Sequence, residues 1–146
     1  MSRLDNSRQF LVCLAIPALI AAPAIAHNVQ VSGDVAATFH LEPNHNPKVN
    51  QPARTWFALT RRGGEIIPLA KCNCYLAVYA TPRSTNAVPL MRPTLKATSA
   101  ERYKGIPGAE ITFPRSGIYE LELVGSPKPG ANFKPFTFTY QVTVSR

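Results

Sequence analysis

The stretch Phe136-Thr137-Phe138-Thr139-Tyr140-Gln141-Val142-Thr143-Val144 decides the fold class. Its large apolar residues recur at every second position, with threonine or glutamine between them. A period of two sends all the apolar groups to one face of an extended chain, which marks an antiparallel strand with one buried and one solvated side. Upstream, Ile118 to Val124 repeats the pattern, with Tyr119, Leu121 and Leu123 facing one way and Glu120 and Glu122 the other. The Pro/Gly segment from Gly125 to Pro135 joins the two as a loop.

Further upstream, Lys71-Cys72-Asn73-Cys74-Tyr75-Leu76-Ala77-Val78-Tyr79 reads as a central buried strand with Cys74, Leu76 and Val78 inward and both cysteines at its entrance. Arg54 to Thr60 opposes Thr55, Phe57 and Leu59 to Trp56 and Ala58, which suits a strand with one face on the core and the other under a loop. Arg61-Arg62-Gly63-Gly64 is a tight turn before a short strand, Glu65 to Ile67. Val29 to Leu41 alternates again and is interrupted at Ser32-Gly33-Asp34, so it is one long strand with a bulge or two short ones. In that pattern His40 points away from the core.

The pattern fades from Thr81 to Lys104, where Pro82, Pro89 and Pro93 argue for a long connection with at most a short edge strand near Leu95 to Thr98. Ser99 to Tyr103 fits one helical turn, Gly105 to Gly108 a turn, and Ala109 to Phe113 a strand. No stretch after the leader has a helical period. About seven short strands point to an all-β, immunoglobulin-like antiparallel β-sandwich. Its predicted core is Val35, Phe39, Phe57, Leu59, Leu76, Val78, Ile111, Tyr119, Leu121, Leu123, Phe138, Tyr140 and Val142. Gly117-Ile118-Tyr119 has the layout of a tyrosine corner, in which the phenol ties back to nearby backbone.

Residues 1–26 stand apart. Arg3 and Arg8, the apolar run Phe10 to Ile20 and Ala24-Ile25-Ala26 form a signal peptide with cleavage before His27. The domain is then 27–146, exported to the periplasm or an equivalent lumen. The chain carries a net charge of +8. Its scattered cations favour an anionic surface or a protein partner in the envelope over nucleic acid, which an exported chain does not meet. Oligomeric state is not legible.

Phe39-His40-Leu41-Glu42-Pro43 with Pro47, Trp56-Phe57-Ala58-Leu59-Thr60, Gly63-Gly64 and Gly117-Ile118-Tyr119-Glu120-Leu121 together resemble small exported immunoglobulin-like domains of the YtkA-like family. The whole chain is similar to uncharacterised exported proteins of cyanobacteria. The resemblance implies a link to copper, since some relatives of that fold occur with copper handling or oxidase assembly. The methionine-rich segment expected of a copper carrier is missing, Met91 being the one methionine after the leader.

Two features carry chemistry. Cys72-Asn73-Cys74 in an exported protein is either a disulfide or, reduced, a soft pair for Cu(I) or zinc, with redox exchange a third reading. A regular strand holds residues i and i+2 roughly 6.6 Å apart, so a bond there calls for a bulge or turn at Asn73. Second, cleavage before His27 would give an amine and an imidazole on one residue, the start of the chelate in CopC-like sandwiches. His40 or His45 is then a further nitrogen donor for copper, or all three histidines are ordinary surface and loop residues. Asp34, the only aspartate after the leader, lacks a nucleophile motif around it, so an enzyme is not expected. The resulting expectation is a copper-handling accessory protein using Cys72, Cys74, His27, His40 and His45. The alternative is a non-enzymatic envelope interaction module with a Cys72/Cys74 disulfide.

Overall fold

Alternating apolar residues turn into paired strands wherever two such faces can close on each other, and eight segments do so among the described residues. A computed structural model describes residues 28–146. The predicted leader, its cleavage point and His27 lie outside the described residues. The strands are β1 (Asn28–Ser32), β2 (Val35–Leu41), β3 (Pro52–Arg61), β4 (Cys72–Ala80), β5 (Lys96–Ala100), β6 (Tyr103–Thr112), β7 (Gly117–Pro127) and β8 (Phe136–Val144). One 3-10 turn, Leu69–Lys71, precedes β4. A five-stranded sheet in the order β1-β2-β3-β6-β5 faces a three-stranded sheet in the order β4-β7-β8, all neighbours antiparallel. The fold is the expected all-β sandwich.

All thirteen predicted core residues are buried in one cluster between the sheets, joined by Leu41, Ile67, Cys72, Phe113, Phe136 and others. Rings fill its centre. Phe39 stacks on Tyr140 at 4.5 Å and on Phe57 at 5.4 Å. Tyr140 is fully buried, which pushes its phenol above the ordinary tyrosine pKa. The tyrosine corner is present, with the Tyr119 hydroxyl donating to the Arg115 carbonyl at 2.8 Å. Gly125 faces Phe136 across the β7–β8 pair, and the Phe136 ring fills the space that a Cβ at Gly125 would need.

Of the two forms expected for Val29 to Leu41, two short strands are found, a hairpin in which Gly33 adopts φ +63 and turns β2 back on β1 with Ser32 opposite Val35. Other local expectations change. Ser99 to Tyr103 spans the end of the β5–β6 hairpin, which turns at Glu101 (φ 52) and Arg102, and is not a helical turn. Gly105 to Gly108 lies within β6, where Pro107 sits opposite Ala97. Glu65 to Ile67 makes only a single bridge, Ile66 to Thr60. The strand of the two cysteines is not central: β4 is an edge of the smaller sheet.

The connection after β4 crosses the outer face of β4 and β7 near Tyr79 and returns along the edge of β4. Val78 donates to Met91 and accepts from Leu90, which fastens the far end of the connection to β4. Near its start, Arg83 Nη1 donates to Glu120 at 2.6 Å and to Glu122 at 2.8 Å. Its guanidinium carbon lies 3.5 Å from the centre of the Tyr79 ring. The hydrogen bonds to Glu122 and then Glu120 raise the Arg83 pKa above its ordinary value. Glu120 and Glu122 do face outward as expected, but onto a cation rather than open water.

Candidate functional site

His40 lies in β2 between Phe39 and Leu41, both core residues, so the period of two turns its ring to the outer face of the larger sheet. It is not an ordinary solvated histidine there. Its cross-strand partner in β3 is Trp56, and the two rings stack at 4.9 Å with 21° between their planes. Trp56, Ala58, Tyr103 and Ile106 make a second small apolar cluster on this outer face. Thr55, fully buried, donates its hydroxyl to the His40 carbonyl at 2.9 Å.

His45 reaches the same place from the loop after β2. Asn44 and His45 adopt φ 50 and φ 56, and the His45 amide donates to the Leu41 carbonyl at 2.7 Å. Left-handed backbone at a histidine costs on the order of 1 kcal/mol and persists only where its surroundings hold it. The last residues of the chain supply part of that hold. Ser145 donates its amide to Pro47, accepts from the Val49 amide and bonds Asn46 through its hydroxyl. The loop bends the His45 ring edge-on to His40, 4.9 Å between centres, and 5.6 Å from the Phe39 ring. Nδ1 of His40 and Nε2 of His45 are both shielded from solvent. Two imidazoles so placed are nitrogen donors of the kind a metal ion takes.

A cleft of about 370 Å³ opens beside His45, lined by Asn28, Phe39, Leu41, Gln141, Val142 and Thr143 as well. Asn28 is also the residue paired with Phe39 in the β1–β2 ladder. The described start of the domain therefore sits beside the His45 cleft.

Cys72 and Cys74 lie far from this site. Tyr119 of β7 pairs with Val142, by the cleft, whereas Ser126 of β7 pairs with Asn73. Seven residues of strand separate these two rungs, about 23 Å. The cysteines are joined in a disulfide with Cα atoms 5.2 Å apart. No bulge is needed: Cys72, Asn73 and Cys74 keep successive partners Pro127, Ser126 and Gly125, and the strand shortens instead. An oxidised pair offers no thiolate to a soft metal. Closing so short a loop removes chain entropy worth only about 1.6 kcal/mol, so this bond is a weak staple.

Among the described residues no group of three or more histidine, cysteine or acidic side chains comes together. The structure brings His40 and His45 together, joins Cys72 to Cys74, and keeps the two pairs apart. Trp56, Thr55 and the Ser145 strap were not legible as parts of a site. The one signal available was Trp56 opposite Phe57, which shows a second covered face without saying that His40 shares it.

No protein-family profile matches the chain, and no curated protein sequence does. Among solved structures it is similar to FetP of a uropathogenic E. coli, crystallised after expression in the periplasm. That match has a TM-score of 0.56 at 15% identity and covers 82% of this chain and 94% of FetP. It is also similar to a DUF4426 family protein from Pseudomonas aeruginosa, with a TM-score of 0.52 at 12% identity, covering 80% of this chain and 94% of that one. Likeness at these identities establishes a shared small β-sandwich fold, while function has to be argued from the site.

Proposed function

We propose that the mature chain is an exported, non-enzymatic accessory protein that binds copper, and that it does so through histidines rather than through the cysteine pair. His40 and His45 supply imidazole nitrogens, and His27, exposed by cleavage after Ala26, supplies its amine and imidazole. The observation that carries this reading is the position of Asn28, which pairs with Phe39 and lines the cleft beside His45. His27 directly precedes Asn28 in the sequence. Nitrogen donors of this kind suit Cu(II). The resemblance to YtkA-like domains and the periplasmic expression of FetP are in keeping with an exported protein of this type.

The test is Cu(II) titration of protein processed from its own leader, followed by electron paramagnetic resonance. One equivalent should bind in a nitrogen-rich site. Affinity should fall at least tenfold, ~1.4 kcal/mol or more, in His40→Ala, in His45→Ala and in a chain with one extra residue ahead of His27. Cys72→Ser/Cys74→Ser should bind as the unaltered protein does. Equal affinity in all of these variants would remove the reading. The disulfide favours the second reading, an envelope interaction module without metal, and that reading gains if copper fails to bind at all.

A further inference from the structure

We propose that Cys72–Cys74 is a redox-active disulfide that accepts electrons from an acidic dithiol partner, at a site separate from the histidines and independent of the copper reading. Three observations combine. The bond closes a loop too short to contribute much to stability. It sits on an edge strand, in the wall of an open groove of about 470 Å³. That groove is basic, with Arg92 and Lys128 in its lining and no acidic residue among them, and Lys71 directly precedes Cys72.

The two sulfurs differ in access. Cys72 is 1% exposed within the core cluster, whereas Cys74 is only partly buried. An incoming thiolate therefore meets Cys74. Arg92 to Leu95 run beside the strand edge at Cys74 without pairing to it, so its backbone groups are left over: Val78 uses its amide and carbonyl toward Leu90 and Met91, and by the period of two Cys74 and Leu76 point theirs the same way. Among the described residues no backbone hydrogen bond crosses that edge at Cys74 or Leu76.

The exchange balances as follows. A partner thiolate attacks Sγ of Cys74, a new sulfur–sulfur bond forms, and the Cys72–Cys74 bond breaks with its electron pair leaving on Cys72 Sγ, which takes a proton. The partner's second thiolate then attacks its own sulfur in the mixed disulfide and releases Cys74 as a thiolate, which is protonated in turn. Two electrons and two protons pass to this chain, and the partner dithiol becomes a disulfide. Arg92 and Lys128 lower the cost of each developing thiolate and draw an anionic thiol toward the groove.

The experiment uses the folded, processed protein and two monothiols of opposite charge, glutathione and cysteamine. Native-state reduction is followed by rapid alkylation and intact mass. Rates are compared per thiolate and against the global unfolding rate. Reduction by glutathione should run at least tenfold faster than unfolding and at least fivefold faster than reduction by cysteamine. The preference for glutathione should disappear in Arg92→Gln/Lys128→Gln, two surface changes that leave the core untouched. In Cys72→Ala, Cys74 should take up one glutathione from oxidised glutathione under native conditions. Reduction only at the unfolding rate would overturn the proposal. A glutathione preference that survives Arg92→Gln/Lys128→Gln would overturn its acidic-partner half, and a Cys74 that stays inert to oxidised glutathione would overturn the exchange itself.

Discussion

Replacing Arg83 by methionine should show how much one cation holds the small sheet together. Methionine keeps an apolar stem over Tyr79 but removes the guanidinium that bonds Glu120 and Glu122. The Arg83 side chain is 25% exposed, so each carboxylate contact is worth about 1 kcal/mol after solvent competition. The cation over the ring adds about 0.5–1 kcal/mol. Without Arg83 the two carboxylates, relaxed to the roughly 6.8 Å spacing of alternate strand residues, still repel by about 0.6 kcal/mol even at the dielectric of water. The expected loss is about 3 kcal/mol, or roughly 10 °C in Tm for a domain of this size. Because the folded state raises the Arg83 pKa, its contribution is complete at every pH below the ordinary arginine value and fades only above it. The deficit should therefore stay level between about pH 7 and pH 9. Urea denaturation of Arg83→Met, alone and with Glu120→Gln/Glu122→Gln, is the assay. The substitution should cost far less in the glutamine background. Equal costs in the two backgrounds, or a loss below about 1 kcal/mol in the first, would refute the clamp.

Two further substitutions probe the packing around β7. Tyr119→Phe removes the bond to the Arg115 carbonyl and should cost about 1 kcal/mol by urea midpoint, while Tyr75→Phe, at an exposed ring, should change nothing measurable. Gly125→Ala sets a methyl into the ring of Phe136, itself only 3% exposed, and should cost about 1–3 kcal/mol, with Phe136→Leu in the same chain recovering part of the loss.

How far the sequence could be read depended on whether neighbours along the chain carry the information. Phe136 to Val144 and Ile118 to Val124 announced their buried faces because the period of two is local, and every core residue named from it is buried. Strand order is not local. Nothing near Cys72 says that β7 pairs with β4 on one side only, and an edge strand under a folded-back connection carries the same apolar run as a central one. Arg83 was hidden for the same reason, since its partners are 37 and 39 residues away. At the site, the outward turn of His40 followed from alternation. Its meeting with His45 depended on left-handed backbone at Asn44 and His45, and the flanking Pro43 and Pro47 mark a loop by their chemistry without giving its direction.

The hold that Ser145 has on the His45 loop has a practical side. Ser145 is tied to Asn46, Pro47 and Val49, so anything fused after Arg146 leaves the sandwich next to the two imidazoles. A polyhistidine tail attached there would bring a high local concentration of competing nitrogen ligands to the one place where copper uptake has to be measured. An affinity handle in the exposed turn at Arg62-Gly63-Gly64, or a tail removed before titration, makes any copper uptake attributable to the protein's own residues.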